Sequence, residues 1–152
     1  METTTPIRPT RQQQHLRRIS LAVGPSAAAE ARTEVRAAIL AWDLPVDESV
    51  AVLLTSELVT NAIRHDAGGT VTLDITCPCG QLRVDVYDTS CFLPMLVDTP
   101  ADAETGRGLM LVATLSTEWG SYRTPAGKAV YFTLAFEPGL TGGGERGQTW
   151  GL

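Results

Sequence analysis

The chain has 152 residues, of which 43% are hydrophobic and 19% charged, a composition typical of one globular domain. Its formal net charge of -5 argues against a protein that tracks nucleic-acid phosphates, because such proteins need clustered Lys and Arg. No stretch approaches the roughly 18 apolar residues of a membrane span, and residues 1–15 lack the apolar centre of a secretory signal. We therefore predict a cytoplasmic protein whose partners are proteins or small molecules, with no direct nucleic-acid or membrane partner.

Two polar ends flank the predicted domain. Residues 1–15 contain almost no large apolar residue and residues 137–152 are rich in Gly, which predicts flexible segments around a domain at 16–136. Within the domain, alternating apolar residues predict strands, and apolar residues at helical spacing predict helices. The strands are predicted at 16–23, 70–76, 82–87, 117–123 and 128–136, and the helices at 27–42, from an N-cap at 47 to about 65, and at 109–115.

The predicted order of elements is β-α-α-β-β-loop-α-β-β. Because helices and strands are interspersed without strict alternation, this order predicts an α+β two-layer sandwich rather than a doubly wound parallel fold. In such a sandwich a mixed, mostly antiparallel sheet is covered on one face by about three helices. The irregular segment 89–105 is longer than an ordinary connection, which favours a lid or a binding loop.

The three cysteines, Cys77, Cys79 and Cys91, form no Cys-x-x-Cys motif, which favours reduced thiols over a disulfide framework. A zinc site that adds His65 fits poorly, because zinc ligands usually come in closely spaced pairs. Cys77-Pro78-Cys79-Gly80 is therefore interpreted as a turn between two strands. Cys91 is interpreted as an inert thiol, with redox sensitivity as the alternative.

On the second predicted helix, Val50, Leu54, Glu57, Asn61 and His65 recur at spacings that place them on one stripe. A carboxylate and an amide on an otherwise apolar stripe are costly to bury unless they find partners. This pattern indicates that the stripe opens into a pocket. The alternative, that both side chains only make hydrogen bonds on the helix surface, has equal weight on spacing alone.

Two further segments suggest a binding site. Asp88 stands where a predicted strand ends beside the irregular loop, either as a ligand acceptor or as an aspartate that caps a turn. Gly106-Arg107-Gly108 directly precedes the last predicted helix, where backbone N–H groups and the helix dipole favour a phosphate. No dinucleotide fingerprint and no phosphate loop of the Gly-x4-Gly-Lys-Ser/Thr type occurs in the chain.

Taken in order, the Glu-Leu-Val-Thr-Asn-Ala-Ile-Arg-His segment at 57–65, Asp-Thr-Ser at 88–90 and Gly-Arg-Gly-Leu at 106–109 resemble the nucleotide-binding boxes of the GHKL ATPase superfamily. The resemblance extends over 16–136 and is strongest to the anti-sigma-factor serine kinases, which share both the Glu and the Asn of the first box. It implies a Bergerat-type ATP-binding fold.

The resemblance also implies roles for individual residues. Asn61 matches the residue that helps to hold Mg2+ on the phosphates of ATP, and Glu57 matches the proposed general base. Asp88 matches the aspartate that accepts a hydrogen bond from the adenine amino group. The residues that match the phosphate-facing start of the helix after the lid are Gly106, Arg107, Gly108 and Leu109, and Arg107 could add positive charge.

The chain departs from the pattern of the superfamily at three places. Asp88-Thr89-Ser90 lacks the glycine that many members have two residues after the aspartate. Lys128 stands where many relatives have a threonine that contacts adenine through water. The predicted lid contains no glycine between Asp88 and Gly106, and together these differences predict a modest affinity for ATP.

Three functions remain open on the sequence. The leading hypothesis is a serine kinase that transfers the γ-phosphate of ATP to an anti-sigma-factor antagonist, with Glu57 drawing the proton from the serine hydroxyl. The resemblance further implies a sigma factor as an alternative partner, and a homodimer. The other hypotheses are a regulatory module that binds ATP or a sigma factor without phosphotransfer, and an interaction domain that binds no nucleotide.

Overall fold

The computed structural model of the protein describes residues 15–65, 69–90 and 103–136. The order of its elements agrees with the prediction. The segments predicted to be flexible lie outside the described residues, except for His15, and so do Cys91 and most of the predicted lid. The elements are β1 (Leu16–Ala22), α1 (Ala27–Ala41), α2 (Glu48–His65), β2 (Thr70–Thr76), β3 (Gln81–Asp88), α3 (Ala103–Leu115), β4 (Glu118–Thr124) and β5 (Gly127–Ala135).

The five strands form one sheet in the order β1-β2-β3-β5-β4, and every described pairing is antiparallel. Residues of the central strand β3 alternate between two faces, because successive side chains of a strand point to opposite sides. Leu82, Val84 and Val86 belong to the buried core with residues of the helices. The predicted α+β sandwich is confirmed, with three helices on one face of the sheet.

The middle helix, α2, packs against α1, α3 and β3. It begins as predicted at Asp47, where the Oδ1 atom accepts a hydrogen bond of 3.3 Å from the backbone N–H of Val50. Leu54 and Leu58 are fully buried on the side that faces the core. In the part of the chain that the structure describes, no helix is long and apolar enough to cross a membrane.

The third helix begins earlier than predicted. It runs over Ala103–Leu115, whereas the apolar spacing predicted a start at 109. Gly106 and Gly108 therefore lie inside the helix and not before it. The prediction was wrong because each Gly lowers the helix propensity by about 1 kcal/mol relative to Ala, so the segment was interpreted as the end of a loop. The last part of the predicted lid is helical.

The uncovered face of the sheet carries a network of charged and aromatic side chains centred on Asp85. This carboxylate is buried and accepts two hydrogen bonds from Arg83, of 2.8 and 2.9 Å, and one of 2.8 Å from the Tyr122 hydroxyl. Burial raises the pKa of the Tyr122 phenol above its usual range, and hydrogen bonds with Tyr87 and Asp85 add to the shift. Neutral Tyr122 is therefore the form that the fold favours.

Replacing Tyr122 by Phe tests this network through the pH dependence of stability. Below about pH 10 the phenol is neutral in both the folded and unfolded chains, and we expect Tyr122→Phe to be about 1 kcal/mol less stable than wild type. Above that pH the phenol ionises in the unfolded chain before it ionises in the folded chain, because folding raises the pKa of Tyr122. The wild type therefore loses stability from this group as the pH rises, whereas Tyr122→Phe has no such phenol to ionise. Urea unfolding at pH 8 and pH 11 should show the gap shrinking, and a gap independent of pH would contradict the network.

Candidate functional site

The structure brings Glu57 of α2 against Gly108 of α3. A Cβ atom built on Gly108 would lie 2.6 Å from Oε1 of Glu57, so only a glycine lets the carboxylate rest where it does. Gly108 is buried and Glu57 is partly buried. Two motifs that are far apart in the sequence therefore meet at the contact between these helices.

Asn61 lies one turn after Glu57 on α2 and is also partly buried. Neither side chain makes a hydrogen bond to another residue within the described ranges, whereas neighbouring polar residues do. Thr55, for example, is buried and donates from Oγ1 to the backbone oxygen of Ala51 over 2.8 Å. The alternative interpretation of Glu57 and Asn61 as hydrogen-bonding residues of the helix surface therefore has no support in the described contacts.

A second group of polar atoms lies where β3 ends and β5 begins. Asp88 and Lys128 are partners in the antiparallel register, and the Lys128 ammonium donates from Nζ to Oδ2 of Asp88 over 2.5 Å. Their side chains are only 1% and 4% exposed, for Asp88 and Lys128 respectively. Nothing in the sequence predicts this pairing, and Lys128 stands out there only as a departure from a family pattern.

Asp88 also caps the turn that follows β3, as its alternative interpretation predicted. Its Oδ1 atom accepts a hydrogen bond of 2.8 Å from the backbone N–H of Ser90. Gly127 packs closely against this turn. A Cβ atom built on Gly127 would contact the backbone of Asp88 and would lie 2.6 Å from the Thr89 Cα. The carboxylate is thus held by a turn on one side and by the start of β5 on the other.

For several of the remaining predicted site residues the structure describes the backbone alone. The backbones of Gly106 and Arg107 belong to the first turns of α3, and their side-chain environments lie outside the description, as does that of His65. Leu109 is buried in the hydrophobic core. No described contact joins the Glu57–Gly108 contact to the Asp88–Lys128 pair.

A cavity of about 530 Å³ lies beside Asp88. Its lining comes mainly from polar residues of the uncovered sheet face and from the β4–β5 turn. None of Glu57, Asn61 and Gly108 lines it, so this cavity is distinct from the contact between α2 and α3. The lining residues are Arg18, Ser20, Thr70, Thr72, Tyr87, Asp88, Thr89, Thr124, Pro125 and Ala126.

Metal-binding side chains are sparse in the described part of the chain. No group of three or more His, Cys, Asp or Glu residues there could hold a metal ion. Cys77 and Cys79 lie in the turn between β2 and β3, which agrees with their interpretation as turn residues. In this turn Cys79 and Gly80 adopt positive φ angles of 47° and 75°.

Comparison with known proteins gives three findings. A family model described as a histidine kinase-like ATPase domain matches residues 21–134. An uncharacterized protein of Streptomyces coelicolor is 36% identical over 89 residues, which cover 56% of this chain and 85% of the relative. The histidine kinase domain of a blue-light activated histidine kinase from Erythrobacter litoralis matches with a TM-score of 0.46 and 30% identity, over 62% of this chain. This chain spans 46% of that structure.

Gly127→Ala tests the close packing beneath Asp88. The added methyl group would meet the backbone of Asp88 and Thr89, so we expect a loss of about 1–3 kcal/mol of stability, the usual cost of overpacking. Gly24→Ala is the matched control, because nothing lies within 4 Å of a Cβ atom at Gly24. Chemical denaturation should separate the two variants, and equal stabilities would show that the start of β5 does not confine Asp88.

Proposed function

This chain belongs to the histidine kinase-like ATPase domain family, and from that membership we propose that it binds ATP with Mg2+ and regulates partner proteins by phosphotransfer. The observation that carries the proposal is the contact between Glu57 and Gly108. This contact brings together the motif at 57–65 on α2 and the motif at 106–109 on α3, and both motifs are proposed to lie beside the phosphates. When bound, ATP supplies the phosphoryl group, and Mg2+ neutralises charge on the phosphate oxygens.

The residues around this contact fit such a ligand. Asn61 offers an amide oxygen that is not hydrogen-bonded within the described residues, and Mg2+ needs only one or two protein ligands when phosphates supply others. The same described residues hold no acidic cluster that would bind a metal by itself. Asn61 is therefore proposed to act together with the phosphates and not as part of a separate metal site.

The position of α3 changes how the glycine motif would act. Free backbone N–H groups occur in the first turn of a helix, and α3 begins at Ala103. Gly108 and Leu109 lie beyond that turn, so their N–H groups are not the free donors. The N–H groups of Gly106 and Arg107 also bond within the helix, so we propose that the motif acts through the missing Cβ atom of Gly106 and the charge of Arg107, while Gly108 keeps space for the Glu57 carboxylate.

Glu57 is the proposed general base of the transfer. Its carboxylate is partly exposed and has no hydrogen-bond partner in the described residues, so its oxygens can accept a proton from an incoming serine hydroxyl. The proposed acceptor is a serine of an anti-sigma-factor antagonist, and the proposed alternative partner is a sigma factor. A homodimer and a cytoplasmic location remain part of this proposal.

A second candidate function is a module that binds nucleotide or a sigma factor without phosphotransfer. No described residue holds the Glu57 carboxylate in place by a hydrogen bond, and this favours the binding module, because a catalytic base is normally oriented by a third group. Phosphotransfer assays distinguish the two functions. Phosphotransfer and nucleotide binding without transfer both require the same ATP site, so ATP binding is the first test.

Asn61→Ala tests that site. Alanine is a good helix former and Asn61 has no described hydrogen-bond partner, so we expect the variant to stay folded. Its affinity for ATP in the presence of Mg2+ should fall at least about tenfold, whereas its affinity in EDTA should change little. Isothermal titration calorimetry measures both. The matched control is the exposed neighbour Thr60, replaced by Ala, and equal magnesium-dependent affinity in both variants would remove Asn61 from the site.

Two variants test Glu57 without disrupting the fold. Glu57→Gln keeps the shape and removes the base, so transfer of labelled γ-phosphate to candidate antagonist proteins should fall about 100-fold or more while ATP binding survives. Gly108→Ala should keep or improve helix stability, yet it forces the Glu57 carboxylate to move and should also slow transfer.

The control for both is Glu48→Gln, which neutralises a 53% exposed carboxylate at the other end of α2. It should leave transfer unchanged. Undiminished transfer in Glu57→Gln would remove Glu57 as the base, and absence of transfer in the wild type to every candidate antagonist would favour the binding module.

A further inference from the structure

Lys128 is a buried cation whose hydrogen-bonding capacity is only partly used. An ammonium group has three N–H donors and no acceptor. In the described ranges its one hydrogen-bond partner is Oδ2 of Asp88. Because a buried charge is costly unless it is fully hydrogen-bonded, the remaining donors require acceptors from outside these residues.

The Asp88 carboxylate can likewise accept further hydrogen bonds. A carboxylate can accept about four hydrogen bonds, and the described contacts use one on each oxygen. The pair therefore presents an acceptor and a donor side by side at one place. It is already formed in the chain alone and is held by a turn and a strand pairing, so a ligand would not have to order it.

Apolar side chains lie next to the pair on the sheet. Asp88 and Lys128 lie on the helix-covered face of the sheet, one step along the same face from Val86 and Val130. Both valines are buried and belong to the hydrophobic core. A few convergent polar groups beside apolar side chains are the usual arrangement of a site for a heteroaromatic ligand.

Building on the proposed ATP binding, we propose that Lys128 determines base specificity by donating a hydrogen bond directly to N1 of adenine, while Asp88 accepts one from the 6-amino group. The pairing edge of adenine carries an amino donor next to the N1 acceptor, which is the complement of the Asp88–Lys128 pair. Guanine carries the opposite order, with an oxygen acceptor next to an N1–H donor. In this arrangement Lys128 adds a contact to adenine, so its presence strengthens ATP binding and does not weaken it.

The test changes the ligand first, so that folding cannot confuse the result. Affinities of the wild type for ATP, 1-deaza-ATP and 3-deaza-ATP should be measured by calorimetry. 1-Deaza-ATP lacks the N1 acceptor, and 3-deaza-ATP lacks a ring nitrogen on the other side of the base. We expect 1-deaza-ATP to bind about 10- to 100-fold more weakly than ATP, the range for losing a hydrogen bond from a charged donor, and 3-deaza-ATP to bind like ATP.

A double replacement completes the test. Asp88→Asn with Lys128→Met replaces the buried ion pair by neutral groups of similar size, which proteins often tolerate. In this variant the amide oxygen can still accept from the amino group, but the ammonium is gone and the one donor left for N1 at these two positions is the neutral amide N–H. The loss of affinity from ATP to 1-deaza-ATP should therefore be several-fold smaller than in the wild type, because a neutral donor makes a weaker hydrogen bond than a charged one, and the preference for ATP over GTP should decrease.

The outcomes separate this inference from the function on which it rests. If the wild type binds ATP and 1-deaza-ATP equally, ATP binding stands and the role of Lys128 is overturned. Tighter binding of GTP than of ATP would overturn the adenine assignment of the pair. If no nucleotide binds although Glu57→Gln, Asn61→Ala and wild type are all folded, the proposed function itself fails.

Discussion

The antiparallel pairing of β3 with β5 is the constraint on which the rest of the structure depends. It lies in the middle of the sheet and joins strands separated by α3 and β4 in the chain. It aligns Val84 with Phe132 and Val86 with Val130, so the apolar residues of both strands face the helices together. The same register sets Asp88 opposite Lys128 at its end. One set of backbone hydrogen bonds therefore fixes both the hydrophobic core and the polar pair.

Most of the fold could be predicted because its signals are local. The turn at Cys77–Gly80 and the N-cap at Asp47 depend on a few adjacent residues, and the structure places elements where those residues indicate. The start of α3 could not be predicted in the same way. Gly108 was interpreted as part of a loop because glycine disfavours helices, yet it lies in the helix where Glu57 leaves no room for a Cβ atom. Packing against α2 overrides the local preference.

The sequence selected the candidate residues of the site, but it did not reveal how they are arranged. Helical spacing marked Glu57 and Asn61 as polar residues on an apolar stripe, and the contact with Gly108 followed only from the packing of two helices. The partner of Asp88 lies 40 residues further along the chain, and nothing in its local sequence indicates a buried ion pair. Such pairs depend on strand register, which a single sequence does not reveal when the strands are not neighbours in the chain.

The burial of the Asp88–Lys128 pair limits how this protein can change over generations. Loss of the lysine alone leaves a carboxylate without its cation, and loss of the aspartate alone leaves a buried ammonium, each at a cost of about 3–5 kcal/mol, a large part of the stability of a small domain. Neutral drift at either position is therefore slowed in this chain, unless a second change nearby supplies the lost charge or the lost hydrogen bonds.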